Sequence, residues 1–234
     1  MKHAAENDLL RGHHEMERIL SDHDRGRLDR LIVEAEKRTK TQIVLAVIKR
    51  SDSYAELPWK AFALGASIAG LSVFIFDLPF YGWSSPMAAF IAVAATLAGG
   101  AAFALLAVFV PGFAKRFLSA HRAETEVRQY TESIFLAREL FATGGRTGIL
   151  LLVSLFERKV MLLPDRGLGN RLTGDAMRDI IASMMSFLRR NEVNRALEAG
   201  LEMLTRVLEA SAPGGPAGTG KNELSDEIIE EKGV

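Results

Sequence analysis

Asp165, Asp175 and Asp179 crowd around the end of one apolar run and the start of an amphipathic one. Carboxylate oxygens are the hard donors that Ca²⁺ and Mg²⁺ take, so three of them can ligate such a cation where the intervening loop folds back. Asp52, just past an earlier apolar run, is a fourth candidate ligand. A cation held there would support a divalent-metal-dependent phosphatase, with metal-assisted attack on phosphorus. The same residues also suit a plainer reading, in which Asp175 favours a helix N-terminus, Asp179 faces solvent and Asp165 stabilises a turn. Both readings stay open at this stage.

Other chemistries have less to stand on. The chain has no cysteine, which removes disulfides, thiolate metal sites and thiol nucleophiles. No Asp-x-Asp follows a predicted strand to offer an aspartyl-phosphate, and His3, His13, His14, His23 and His121 lack ligand spacing. The run Asp165-Arg-Gly-Leu-Gly-Asn-Arg171 has glycines and arginines suited to an anion, without the spacing of a phosphate-binding P-loop. A formal net charge of zero and a pI near 7 give no basic footprint for nucleic acid.

The elements that must position these residues follow from periodicity. Leu28, Leu31, Ile32 and Ala35 share one face of a helix over 24–38, with Ser21 and Asp24 as a capping box. Residues 41–48, TQIVLAVI, suit a buried strand. Val127, Tyr130, Ile134, Ala137 and Phe141 predict a second amphipathic helix, closed by Gly144-Gly145. Residues 148–156 and 159–163 predict a β-hairpin whose loop exceeds Glu157-Arg158, since that pair is not a favoured two-residue turn. Ala176, Met177, Ile180, Ile181, Met184 and Leu188 mark a third helix, and Leu197, Leu201, Leu204 and Leu208 a fourth that packs on the sheet. Beyond Ser211, Pro, Gly and Thr give way to an acidic end, which reads as a flexible tail.

Into this pattern residues 61–114 insert a block with one charge, Asp77. The runs Ala61–Phe76, extendable from Pro58 to Tyr81, and Met87–Val110 are each long enough to cross a bilayer. Trp59, Phe80, Tyr81 and Trp83 sit where aromatic rings prefer the headgroup level. Gly65, Ala69, Ala88, Ala92, Ala95 and Gly99 recur about one turn apart and permit close helix approach, within the hairpin or between copies in a homo-oligomer. Lys49, Arg50, Lys60, Lys115, Arg116 and Arg122 flank the block and the connecting turn has no basic residue, which predicts cytoplasmic flanks. The amino terminus alternates charged and apolar residues, so insertion is expected to rely on the central block rather than on a secretory signal.

The expected organisation is a polar segment (1–20), the first part of an α/β domain (21–56), a transmembrane hairpin (57–111), the second part of the domain (112–210) and a tail (211–234). The strands at 41 and 148 should be parallel neighbours joined by a crossover. To share a sheet they must lie on one side of the bilayer, which requires an even number of crossings. Two predicted helices satisfy it.

The segment Gly148-Ile-Leu-Leu-Leu-Val-Ser-Leu-Phe-Glu-Arg-Lys-Val160, with Asp165-Arg-Gly-Leu168 and Leu172-Thr-Gly-Asp175 ahead of a helix, resembles the TPM domain family. Phe141-Ala-Thr-Gly144 and Lys40-Thr-Gln-Ile-Val44 match in order as well, so the resemblance runs from Arg25 to Leu208 outside the apolar block. It implies an α/β/α sandwich of bacteria and plastids, often membrane-tethered, with some members assigned phosphatase activity or divalent cations and others acting as accessory factors. Two departures stand out: the hairpin splits the domain, and Asp165 and Gly174 stand where the family has a glycine and an acid. The preferred function is therefore a membrane-anchored accessory or interaction module on the cytoplasmic face of a bacterial inner membrane, with lipid and a membrane protein as partners. A metal-dependent phosphatase and a structural, oligomerising membrane protein are the alternatives.

Overall fold

A computed structural model of the chain describes residues 19–77, 86–143, 145–211 and 228–233. They form two compact units, one of Met1–Ser51 with Glu126–Val234 and one of Asp52–Thr125. The elements in chain order are α1 (Asp22–Thr39), β1 (Gln42–Arg50), α2 (Glu56–Asp77), α3 (Pro86–Phe109), α4 (Pro111–Ala114), α5 (Ala120–Ala137), β2 (Gly148–Ser154), β3 (Lys159–Pro164), α6 (Gly174–Leu188), α7 (Val193–Ala210) and β4 (Ile229–Gly233).

The first unit is built on a four-stranded sheet of order β3-β2-β1-β4. β1 runs parallel to β2 in a register that begins at Gln42 opposite Gly148, and β2 runs antiparallel to β3. Strand residues alternate between two cores, as the pleat demands. Ile43, Leu45, Val47, Ile149, Leu151 and Val153 face α1, α6 and α7, while Val44, Ala46, Ile48, Leu150 and Leu152 face α5. Both faces are covered, which is why β2 is apolar at nearly every position instead of at alternate ones. The sheet unit is an α/β/α sandwich.

Helix starts follow local chemistry. The Ser21 hydroxyl accepts the Asp24 N–H at 3.1 Å and donates to the Asp24 carboxylate at 2.7 Å, so the first turn of α1 is capped from both directions. Lys40, left-handed at φ 55°, ends the helix by sending its N–H to the Glu36 carbonyl. Leu197, Leu201, Leu204 and Leu208 of α7 are buried against α1, α6 and the sheet, each worth about 1.5–3 kcal/mol of burial. At the crossing of α6 and α7 a Cβ on Gly200 would stand 2.5 Å from the Met184 sulfur, so a small residue is required there.

Three expectations need correction. The helix expected to run to Phe141 ends at Ala137, because Glu139 turns left-handed at φ 51° and a 3₁₀ turn over Leu140–Ala142 follows. That turn buries Leu140 and lays its carbonyl 2.3 Å from where a Cβ on Gly148 would be, so glycine is needed where β2 begins. Gly144 lies outside the described residues. The second correction concerns the end of β2, expected at Phe156 and found at Ser154, so that the connection to β3 covers 155–158, with Leu155 and Phe156 donating to the carbonyls of Ile48 and Lys49. The longer loop was expected, but this continuation along β1 was not.

The third correction is the largest. The segment from Ser211 onward is not a tail throughout, because Ile229–Gly233 forms β4, parallel to β1 and closing its outer edge. Ile228 and Ile229 fill opposite cores, and this burial holds the short strand in place. Residues 212–227 lie outside the described residues.

In the second unit α2 and α3 pack side by side. A Cβ on Gly65 would lie 2.5 Å from the Gly99 carbonyl, and one on Gly99 would lie 2.6 Å from Ala69 Cβ. The small residues at these positions therefore serve packing within the hairpin. Both helices are long and apolar enough to cross a membrane, and their outer faces expose Leu71, Phe74, Ile75, Phe90, Ile91, Val93, Leu97 and Phe109. Phe80, Tyr81 and Trp83, expected at an interface, lie outside the described residues, as do His3, His13 and His14.

Candidate functional site

Asp165 sits at the end of β3 with its side chain 5% exposed. The strand pairing delivers it there: its N–H donates to the Gly148 carbonyl at 2.8 Å, continuing the β2–β3 ladder by one bond. Its Oδ1 accepts the Arg166 N–H at 2.7 Å and caps a 3₁₀ turn over Arg166–Leu168. Its Oδ2 lies 3.5 Å from Arg146 Nε, an ion pair, yet is buried with no hydrogen bond among the described residues. Arg146 itself is held at φ 54° and donates Nη1 to the Phe141 carbonyl at 2.9 Å. Gly167 permits this packing, since a Cβ there would stand 2.4 Å from the Gly145 carbonyl.

The other candidate carboxylates are not gathered to it. Asp175 lies in the first turn of α6, 84% exposed and paired with Arg178 one turn on. Asp179 is also exposed, on the side of α6 away from Ile180 and Met184. Thr173 caps that helix through its hydroxyl, which accepts the Ala176 N–H at 3.3 Å. Asp52 belongs to the second unit, where its Oδ1 accepts the Ser53 N–H at 2.7 Å and its Oδ2 meets Arg122 Nη2 at 3.2 Å. Among the described residues no group of three or more His, Asp or Glu side chains is placed to hold a metal ion. Ca²⁺ takes roughly six to eight oxygens, and the arrangement supplies one incompletely satisfied carboxylate, already beside an arginine. As disposed, these residues do not fit a divalent cation.

A second polar cluster escaped the sequence reading. Glu157, in the β2–β3 loop, accepts from the Ser51 N–H at 3.0 Å and the Ser51 hydroxyl at 2.7 Å on one oxygen, and from the Ser154 hydroxyl on the other. Ser51 and Ser154 are both buried. The carboxylate thus ties the exit of β1 to the exit of β2, with both oxygens accepting from within the fold, a locking role more than a reactive one.

The profile of the TPM domain matches residues 108–207, from the end of α3 through α5, β2, β3 and α6 into α7. Over residues 108–207 the chain is similar to the TPM domain. No curated protein matches the chain by sequence. Among solved structures, the NMR structure of BA42 protein from the psychrophilic bacterium Bizionia argentinensis superposes with a TM-score of 0.54 at 12% identity, covering 92% of this chain and 97% of that one. At that identity the likeness speaks for the fold alone.

The matched region holds Asp165, Asp175 and Asp179, whereas Asp52 and β1 fall before it. Asp165, standing where a glycine was expected, is accommodated because its carboxylate turns back to cap its own 3₁₀ turn. Gly174, where an acid was expected, opens α6 directly after the Thr173 cap.

Proposed function

We propose that the chain is a membrane-anchored TPM domain acting as an accessory or protein-interaction module on the cytoplasmic face of a bacterial inner membrane. The observation that carries this reading is the exposure of the hairpin. Phe74 is 62% exposed, Phe90 70% and Phe109 76%, on helices with no charge between Lys60 and Asp77 or between Pro86 and Val110. A bilayer removes that apolar surface from water, at about 25 cal/mol per Å². The parallel pairing of β1 with β2 supports an even number of crossings, and the basic residues at both ends of the block support a cytoplasmic sheet. The Glu157 carboxylate, which ties Ser51 to Ser154, is engaged by three donors of the fold itself, which supports a structural over a catalytic role for that cluster.

The experiment is alkaline extraction of membranes followed by detergent pull-down with the hairpin intact. The reading expects the chain in the pellet after carbonate washing and a reproducible membrane-protein partner in the eluate. Release by carbonate would end the anchoring, and self-contacts alone would favour the structural, oligomerising alternative.

The metal-dependent phosphatase is the second reading, and it would require Asp165 Oδ2, buried without a hydrogen bond, to exchange its ion pair with Arg146 for a cation whose other ligands the described residues do not supply. Titration calorimetry with Ca²⁺ and Mg²⁺, together with phosphatase turnover compared against Asp165→Ala, tests it. No heat and no difference in turnover would eliminate it.

A further inference from the structure

The outer edge of β1 is occupied in a manner that reads sequence. β4 pairs with it in parallel, with Ile229 opposite Ala46, Glu230 opposite Val47, Glu231 opposite Ile48 and Gly233 opposite Arg50. Ile228 and Ile229 enter the cores on either side of the sheet. Glu230 is received by the start of the fold: its carboxylate accepts from Arg25 Nη2 at 2.6 Å and from the Ile19 N–H at 2.9 Å. Glu231, on the other face, accepts from the Tyr130 hydroxyl at 2.7 Å. Gly233 has φ 75°, and a Cβ there would stand 1.4 Å from the Arg50 carbonyl, so no other residue fits. Main-chain pairing with alternate side chains in fixed receptors is the physics of strand addition at a sheet edge.

The occupant is held less completely than the receptor allows. β4 has five residues and pairs with β1 on one side, and among the described residues its outer edge has no neighbouring strand. Arg25 Nε is buried with no hydrogen-bond partner among the described residues, so the guanidinium has a donor that Glu230 leaves unused. β4 belongs to the same chain as the groove, so its pairing is intramolecular and gains the effective-concentration advantage of attachment. Occupancy by attachment needs little intrinsic affinity.

We propose that the outer edge of β1 is a strand-docking groove for an acidic extended segment of a partner protein. That segment presents two adjacent aliphatic residues, then two carboxylates and, two places on, a glycine, and β4 fills the groove until it is displaced. Charge complementarity at Arg25 and the hydroxyl donor of Tyr130 select carboxylates, and the approach to Arg50 selects the glycine. The inference rests on the interaction-module reading and names the surface that does the binding.

The test uses the full chain in lipid nanodiscs and a fluorescent synthetic peptide of residues 224–234. Ile229→Asp with Glu230→Lys vacates the groove, and this variant is expected to bind the peptide at least tenfold more tightly than the parent chain. Arg25→Glu in that background should abolish the gain, and a peptide carrying lysine in place of Glu230 and Glu231 should not bind. Should the variant misfold, a protease site placed within 212–227 lets the folded parent chain be cut, after which the labelled peptide is expected to exchange with the released β4. Equal binding by the lysine peptide, or no uptake in the folded variant or the cut chain, overturns the inference. A chain that inserts in nanodiscs and takes no peptide leaves the anchoring reading standing. A stable dimer that the peptide dissolves overturns the partner assignment in favour of a second copy of this chain.

Discussion

Gln42 and Gly148 stand opposite one another as the first pair of the parallel ladder between β1 and β2, although the entire apolar hairpin lies between them in sequence. The excursion costs the sheet nothing in register, since each following residue of β1 through Ile48 has its partner in β2. On the membrane-anchored reading proposed above, a chain that leaves the domain and returns in phase must come back to the compartment it left.

Hairpin packing depends on the absence of side chains at two facing positions. A leucine at Gly99 would collide with Ala69 and the Gly65 backbone, a clash of the kind that costs about 1–3 kcal/mol in a packed interface. Cysteines introduced at Gly70 and Thr96, which approach closely, should crosslink readily in the parent background and poorly beside Gly99→Leu. Unchanged crosslinking would show that the hairpin tolerates the bulk.

The leucine face of α7 should behave as core. Leu204 is fully buried between the sheet and the helices, so Leu204→Ala is expected to lower stability by about 2–5 kcal/mol. Denaturant unfolding followed by the signal of the sheet unit measures it. A change below about 1 kcal/mol would point to an exposed face instead.

The start of α1 carries a pH dependence with a defined sign. Hydrogen bonds from the Ser21 hydroxyl and then from Asn194, with the nearby His23 charge, hold Asp24 below the ordinary carboxylate range. A folded-state pKa below the unfolded one contributes stability above the unfolded value, about 3.9, and loses it as pH falls through the folded value. Protection factors of the Asp24 and Arg25 amides, taken against the intrinsic exchange rate at each pH, should therefore fall on acidification below about pH 4 in the parent chain, and Ser21→Ala should flatten the trend.

Much of the sheet unit was legible because its signals are periodic. The stripe of α7, the unbroken apolar run of β1 and the Ser21 cap are local patterns whose physics is the same in any fold. β4 was not legible. Its five residues, IEEKG, offer too short a span for a period, and Ile228 and Ile229 look like an isolated pair until the sheet supplies a core on each side. The acidic residues that suggested a tail are the ones Arg25 and Tyr130 receive.

Proximity in sequence misled at the aspartates. Asp175 and Asp179, four apart on α6, lie on its exposed side because Ile180 and Met184 claim the other, while Asp165 is folded into the β3 exit beneath Arg146. The polar cluster that does form, Glu157 with Ser51 and Ser154, joins positions far apart in the chain, and pairing of β1 with β2 is what brings them together.

Single cysteines at Lys37, Arg178 and Ser84 in the cysteine-free chain test the central claim most directly, by reaction with a membrane-impermeant maleimide in right-side-out and inverted vesicles. The account predicts that Lys37→Cys and Arg178→Cys label together from the cytoplasmic side and Ser84→Cys only from the opposite side. Labelling of Lys37→Cys and Arg178→Cys from opposite sides would contradict it, since one sheet cannot be assembled across a bilayer.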